Sequence, residues 1–331
     1  MMAETDEDLA RRSGHDGGDG DWQRDILARL AVASIAEQRR ARRWGILIKL
    51  LVLLYLFALL FAAMNLSSLT GASTATLGSH TAVVRIEGMI AQDADANADR
   101  LIEGLRNAFE AEDAEAVIVR INSPGGSPVQ AGMVYDEIRR LREENPDTPL
   151  YAVATDLCAS GGYYIAAAAD RIFANRASMV GSIGVRFGGF GFVEAMDKIG
   201  VDRRLITAGE NKALADPFLP QQEDQVRHIQ GMVDEIHSQF IDAVRTGRGE
   251  RLSADADDAV FSGLIWTGRK AIEKGLVDDL ASASEVAREV VGADKLVDYT
   301  PRKDLFQRFS ERVGAALADT LRSAALTPNL R

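Results

Sequence analysis

Between Trp44 and Met64 the sequence carries one charged residue, Lys49, and from Leu50 to Met64 it has no polar face. A run of this kind has few ways to fold. About 20 consecutive apolar residues are enough for a helix to cross the hydrocarbon core of a bilayer. Lys49 stands close enough to the start to reach the interface with its ammonium. A cleaved signal peptide has a short basic start and an apolar region of about 7–15 residues, whereas this run is longer and follows residues 1–43. The run is therefore expected to be a transmembrane anchor over 44–64. Arg39, Arg40, Arg42 and Arg43 precede it, and no Lys or Arg occurs between Leu50 and Val84. That asymmetry predicts a cytoplasmic N-terminus and an exported C-terminal part.

The anchor divides the chain. Residues 1–25 are polar and rich in Asp and Gly, too poor in apolar surface to offset the entropy of ordering, and are expected to be disordered. Residues 26–43 can extend this cytoplasmic tail as a helix with a basic end, and 65–80 read as a small-residue linker. The formal charge of −11 is nearly absent from residues 1–43, so the acidic excess belongs to the exported part, which argues against nucleic acid as a partner. Cys158 is the single cysteine, which excludes a disulfide framework or a multi-cysteine zinc site and is read as a small buried hydrophobe.

Beyond the linker, apolar runs alternate with helical patterns. Strands are expected at 82–86, 116–121, 150–154, 171–174 and 204–207. Helices are expected at 96–110, from Ser127 to about Glu144, from Ser160 onward, at 223–245 and at 267–274. Such alternation predicts an α/β domain built on a mainly parallel sheet flanked by helices.

Two glycine pairs follow strands directly: Gly125-Gly126 after the second and Gly161-Gly162 after the third. Glycines there make tight turns, and they also let free amides point at a phosphate or a developing oxyanion. Neither a phosphate-binding Gly-x-x-x-x-Gly-Lys-Ser/Thr nor a dinucleotide-binding Gly-x-Gly-x-x-Gly run is present. Ser160 opens the helix after the third strand, either as an N-cap or as a nucleophile. A nucleophilic serine needs a base, and the four histidines (His15, His80, His228, His237) fall in the tail, in the linker and on one polar-faced helix. Lysine is the other base available, and among the six lysines after the apolar run Lys212 alone lies just past an expected strand, in Ala208-Gly209-Glu210-Asn211-Lys212-Ala213. A lysine acts as a base only when neutral, which demands a fall from about 10.4 toward 7–8 and hence an apolar cleft.

These residues resemble the signal peptide peptidase A family, membrane-anchored Ser/Lys peptidases. The resemblance rests on Ile121-Asn122-Ser123-Pro124-Gly125-Gly126-Ser127, Ala159-Ser160-Gly161-Gly162-Tyr163-Tyr164-Ile165-Ala166, Gly181-Ser182-Ile183-Gly184-Val185, the Lys212 loop ending in Asp216-Pro217-Phe218, and Gly275-Leu276-Val277-Asp278. It covers roughly residues 80–290, in order. It implies a Clp-protease/crotonase-like domain over 81–294, with Ser160 as nucleophile, Lys212 as general base and Ser182 as the hydroxyl that orients the lysine. Gly125 or Gly126, together with the Gly161 amide, would form the oxyanion hole. No cofactor or metal is implied. The implied substrates are cleaved signal peptides at a bacterial-type cytoplasmic membrane, with the catalytic domain in the periplasm. A related membrane peptidase acting on other membrane or envelope proteins is the alternative. A crotonase-like acyl-thioester enzyme and a non-catalytic scaffold are two further readings, disfavoured by export and by the presence of Lys212. The family's long form carries two tandem domains and this chain has one, which implies a homo-oligomer. Residues 295–331, with Leu305, Phe306, Phe309, Val313, Leu317 and Leu321 at helical spacing, are expected to form an amphipathic segment.

Overall fold

A computed structural model describes residues 42, 44–58, 78–253 and 257–301. The chain divides into two compact units, Met1–Ala75 and Thr76–Arg331. In the first, residues 44–58 form a helix (α1) with exposed apolar side chains. Among the described residues no helix is long and apolar enough to cross a membrane. The last part of the expected span (59–64), the tail 1–41, most of the linker and the amphipathic pattern from Leu305 onward lie outside the described residues.

The second unit is α/β. Its sheet is ordered β6-β5-β3-β2-β1-β8, with β4 on β3 and β7 on β4. The strands are β1 (His80–Glu87), β2 (Ala114–Ser123), β3 (Leu150–Ala159), β4 (Arg171–Ala174), β5 (Met179–Gly181), β6 (Ile265–Thr267), β7 (Asp279–Leu280) and β8 (Leu296–Asp298). Every pairing is parallel except β5 with β6. Parallel neighbours need crossovers, supplied here by α2 (Ala98–Phe109) and α3 (Pro128–Glu144). Both helices start where the sequence provides a cap: the side chain of Asn97 accepts from the Arg100 amide, and that of Ser127 from the Gln130 amide ahead of Pro128.

Alternate residues of each central strand go to opposite faces. Ala82, Val84, Ile86, Val117, Val119 and Ile121 pack with Leu101, Leu105, Val134 and Ile138 of α2 and α3. Val83, Ile118, Val153 and Phe173 pack on the other face beneath Val286 and Ala287. Burial on both faces is why these strands read as unbroken Val/Ile runs. Ala167, Ala168 and Ala169 belong to the first of these cores.

β3 holds the geometry that matters most. Its first half pairs with β4 and its last three residues pair with β5, Ala159 standing opposite Gly181. α4 (Gly161–Ala166) follows at once. The long helix α6 (Glu223–Arg248) is seated on it: a Cβ on Gly247 would lie 1.8 Å from the Ala167 carbonyl oxygen. The buried Arg248 guanidinium then grips both oxygens of Asp278 at 2.8 Å, while Asp278 also accepts from the Ile172 amide. Burial works against the Asp278 carboxylate, but Arg248 and the amide hold its pKa below the usual range.

Three expectations change. No strand forms at 204–207; residues 201–207 are exposed without a neighbouring strand, Ile206 being 98% exposed, so there is no ladder to join. The linker stops short of His80, which is 1% exposed in β1 and hydrogen-bonds Tyr299 at 2.9 Å. The sheet also continues past 294, because β8 adds to the free edge of β1.

Candidate active site

Ser160 sits in the turn between β3 and α4 with φ 51° and ψ −124°. Positive φ is uncommon for a residue with a side chain and marks stored strain. Its own amide donates to the Gly181 carbonyl at 2.8 Å, so the turn is held by the β3–β5 ladder. The hydroxyl makes no cap hydrogen bond to α4, which removes the plain N-cap reading.

The loop after β2 comes up against this turn. The buried Ser123 hydroxyl donates to the Gly88 carbonyl at 2.6 Å and accepts from the Gly125 amide at 3.0 Å. The Gly125 carbonyl accepts from Ile90, and the Ile90 carbonyl accepts from Ser127, which clamps the loop on both sides of Gly126. Gly125 has φ +92°, and a Cβ there would lie 2.6 Å from the Gly161 nitrogen; at Gly126 it would lie 2.0 Å from the Ile90 oxygen. Both positions are closed to any side chain.

This settles which amides are available. The Gly125 amide is spent on Ser123. The Gly126 and Gly161 amides have no acceptor among the described residues, and they are neighbours: a Cβ on Gly161 would lie 3.3 Å from the Gly126 nitrogen. Two free donors beside a strained serine form an arrangement able to hold an oxyanion.

Ser182 follows β5 as Ser160 follows β3, with φ 53° and its amide donated to the Leu264 carbonyl at 2.7 Å. The parallel ladder thus brings Ser160 and Ser182 to adjacent strand ends. Lys212 is placed differently. It lies in an exposed turn, its amide bonded to the Gly209 carbonyl at 3.1 Å, and its ammonium has no hydrogen bond or ion pair among the described residues, Ser160 and Ser182 included. The turn is fixed downstream by Asp216, whose pKa is lowered by the Phe218 amide and the Arg203 guanidinium. In the preceding segment Phe187, Phe190, Ile199 and Ile206 are exposed, and α5 (Val193–Ile199) buries none of its residues.

Cys158, two residues before Ser160, is fully buried, and burial pushes its thiol pKa up, as an inert core residue requires. Among the described residues no cluster of three or more His, Cys, Asp or Glu is placed to hold a metal. Ser123 and Ile90 escaped the sequence reading as site residues. Ser123 is visible only as a polar residue ending an apolar strand, and Ile90 carries no signal because it acts through its backbone.

Comparison with known proteins bears on the same segment. The family model described as "Peptidase family S49" matches residues 142–296, which include Ser160, Ser182 and Lys212. The chain is 42% identical over 211 residues to a Brucella abortus protein named Na(+)/H(+) antiporter NhaA, covering 63% of this chain and 28% of that one. It is 29% identical over 204 residues to the putative signal peptide peptidase SppA of Enterococcus faecium, covering 62% of this chain and 58% of that one. It is 30% identical over 204 residues to the chloroplastic serine protease SPPA of Arabidopsis thaliana, covering 61% of this chain and 29% of that one. The chain thus matches between 28% and 58% of the length of these relatives.

Proposed function

We propose that the chain is a serine endopeptidase in which Ser160 is the nucleophile and Lys212 the base, a reading supported by the match of residues 142–296 to peptidase family S49. The observation that carries this reading is Ser160 at φ 51° beside the Gly126 and Gly161 amides, which have no acceptor among the described residues. Its Oγ attacks a peptide carbonyl carbon as the proton passes to a neutral Lys212 Nζ. The carbonyl oxygen takes the negative charge and is met by the two amides, and the lysine proton then goes to the leaving nitrogen. Water attacks the resulting ester by the same route in reverse and releases the acid. Ser182, at the neighbouring strand end, would orient the lysine. The domain is read as a Clp-protease/crotonase-like fold, for which the mainly parallel sheet and the glycine-lined oxyanion site speak.

Lys212 is exposed and its ammonium has no partner among the described residues, Ser160 included, which favours a homo-oligomer in which the lysine of one copy is buried against a neighbouring copy and serves that copy's Ser160. The substrates are proposed to be cleaved signal peptides at the membrane, with the span 44–64 as anchor, the N-terminus cytoplasmic and the catalytic domain outside. The apolar run, the arginines before it and the name of the Enterococcus faecium relative support this. The test is hydrolysis of a signal peptide in detergent by the full-length protein and by Ser160→Ala and Lys212→Ala. Both variants are expected to lose activity by at least about 10³-fold; undiminished hydrolysis by either removes that residue from the mechanism.

A further inference from the structure

The sheet face opposite α2 and α3 carries an arrangement that peptide hydrolysis does not use. Arg85 on β1 and Arg120 on β2 are partners in register, so two guanidinium side chains rise from neighbouring positions on strands about 4.8 Å apart. Like charges directly opposite on a sheet are destabilising. Arg85 is paired with Asp298 of β8 at 3.3 Å. Arg120 is half-buried and has no hydrogen bond or ion pair among the described residues. Glu87 and Asp156 are the next carboxylates on this side, and neither is within ion-pair distance of a guanidinium; Asp156 is reached instead by the Asn122 amide at 3.4 Å. Both arginines line a cavity of about 650 Å³, together with Val83 and Val153, the polar Thr155, Asn175, Ser282 and Ser284, and the carboxylates Asp156 and Asp298. That volume falls in the range of small-molecule sites, and the lining combines apolar with polar and charged side chains as such sites do.

We propose that this cavity is a binding site for a small oxyanion, a phosphate or a carboxylate, held between the Arg85 and Arg120 guanidinium groups. Both anions present the planar or tetrahedral oxygens that guanidinium forks grip in pairs. A bound anion supplies a partner for the Arg120 guanidinium, which none of the lining carboxylates reaches within ion-pair distance. The site stands apart from Ser160, yet Thr155 of β3 and Met179 of β5 line the cavity on the two strands that end at Ser160 and Ser182. It does not rest on the peptidase reading.

The test is calorimetric titration of inorganic phosphate, and separately of succinate, into the detergent-solubilised full-length protein at low salt. One saturable site is expected for at least one of them; binding of phosphate alone identifies a phosphate ligand, and of succinate alone a carboxylate. Arg120→Gln and Arg85→Gln are each expected to weaken binding about tenfold or more. Without anion, Arg120→Gln is expected to melt no lower than the parent, because it removes a repulsion; a residue kept for structure would lower it. Absence of saturable binding by both anions, or unchanged affinity in both variants, overturns the proposal. A folding defect confined to Arg120→Gln leaves Arg85→Gln to decide.

Discussion

A Cβ on Gly125 would lie 2.7 Å from the Cβ of Ser160, so the glycine loop and the serine turn are in backbone contact. Gly125→Ala must push one away from the other, at a residue whose φ of +92° already resists a side chain. Displacing Gly126 and Gly161 from a shared oxyanion is expected to lower kcat by about 10²–10³-fold, the effect of removing one such donor. Steady-state peptide hydrolysis checks it; a parental kcat would detach this loop from the chemistry.

Ser123 stands one step behind. It is fully buried, and its hydroxyl both donates to Gly88 and accepts from Gly125. Ser123→Ala leaves two polar backbone groups without partners, at a cost of about 1–3 kcal/mol for each group left buried. Denaturant unfolding should show lower stability, and kcat should fall while KM holds, since the loop positions the amides rather than the substrate. Unchanged stability and kcat would mean that another group takes over both bonds.

The pH dependence of stability has an identifiable contributor in Glu137 on α3. Hydrogen bonds from Arg140 and Arg106 outweigh burial and bring its carboxyl from 4.5 to about 2. Because the folded-state pKa is the lower one, the stabilisation is present above about 4.5 and is lost as the pH falls toward 2. Glu137→Gln should therefore cost about 1.5–3 kcal/mol at neutral pH, with the gap to the parent closing across that window. Thermal melts of both proteins from pH 7 to pH 2 measure it, and a constant gap would contradict the assignment.

Lys212 without a partner among the described residues of its own chain predicts complementation. Ser160→Ala and Lys212→Ala proteins, each inactive alone, should recover part of the peptide hydrolysis when mixed and allowed to exchange subunits. A mixture that stays inactive after proven exchange would place the serine and the lysine on one chain.

Much of the sheet was legible because β1, β2 and β3 are buried on both faces and write that burial as Val/Ile runs. The glycine pairs were legible because only glycine tolerates the contacts at 125 and 126. The failures are of two kinds. Residues 204–207 have the composition of a strand, but a strand exists only against a neighbour, and the sequence does not show that Ile206 has none. β8 is short and joins β1 from far along the chain, so neither period nor length announces it. At the site, Ser160 and Lys212 were legible as candidates from residue type, position and the family resemblance. Ser123 and Ile90 were not, because they act by holding a loop in place, which is a property of three-dimensional arrangement.

The central claim is that Ser160 is the nucleophile, and a covalent adduct tests it most directly. The full-length protein treated with a fluorophosphonate should yield, by peptide mass spectrometry, a single modified residue at Ser160, together with loss of hydrolysis. Ser160→Ala should take up no label and cleave no peptide. Modification at another serine with matching loss of activity, or parental hydrolysis by Ser160→Ala, would contradict the account.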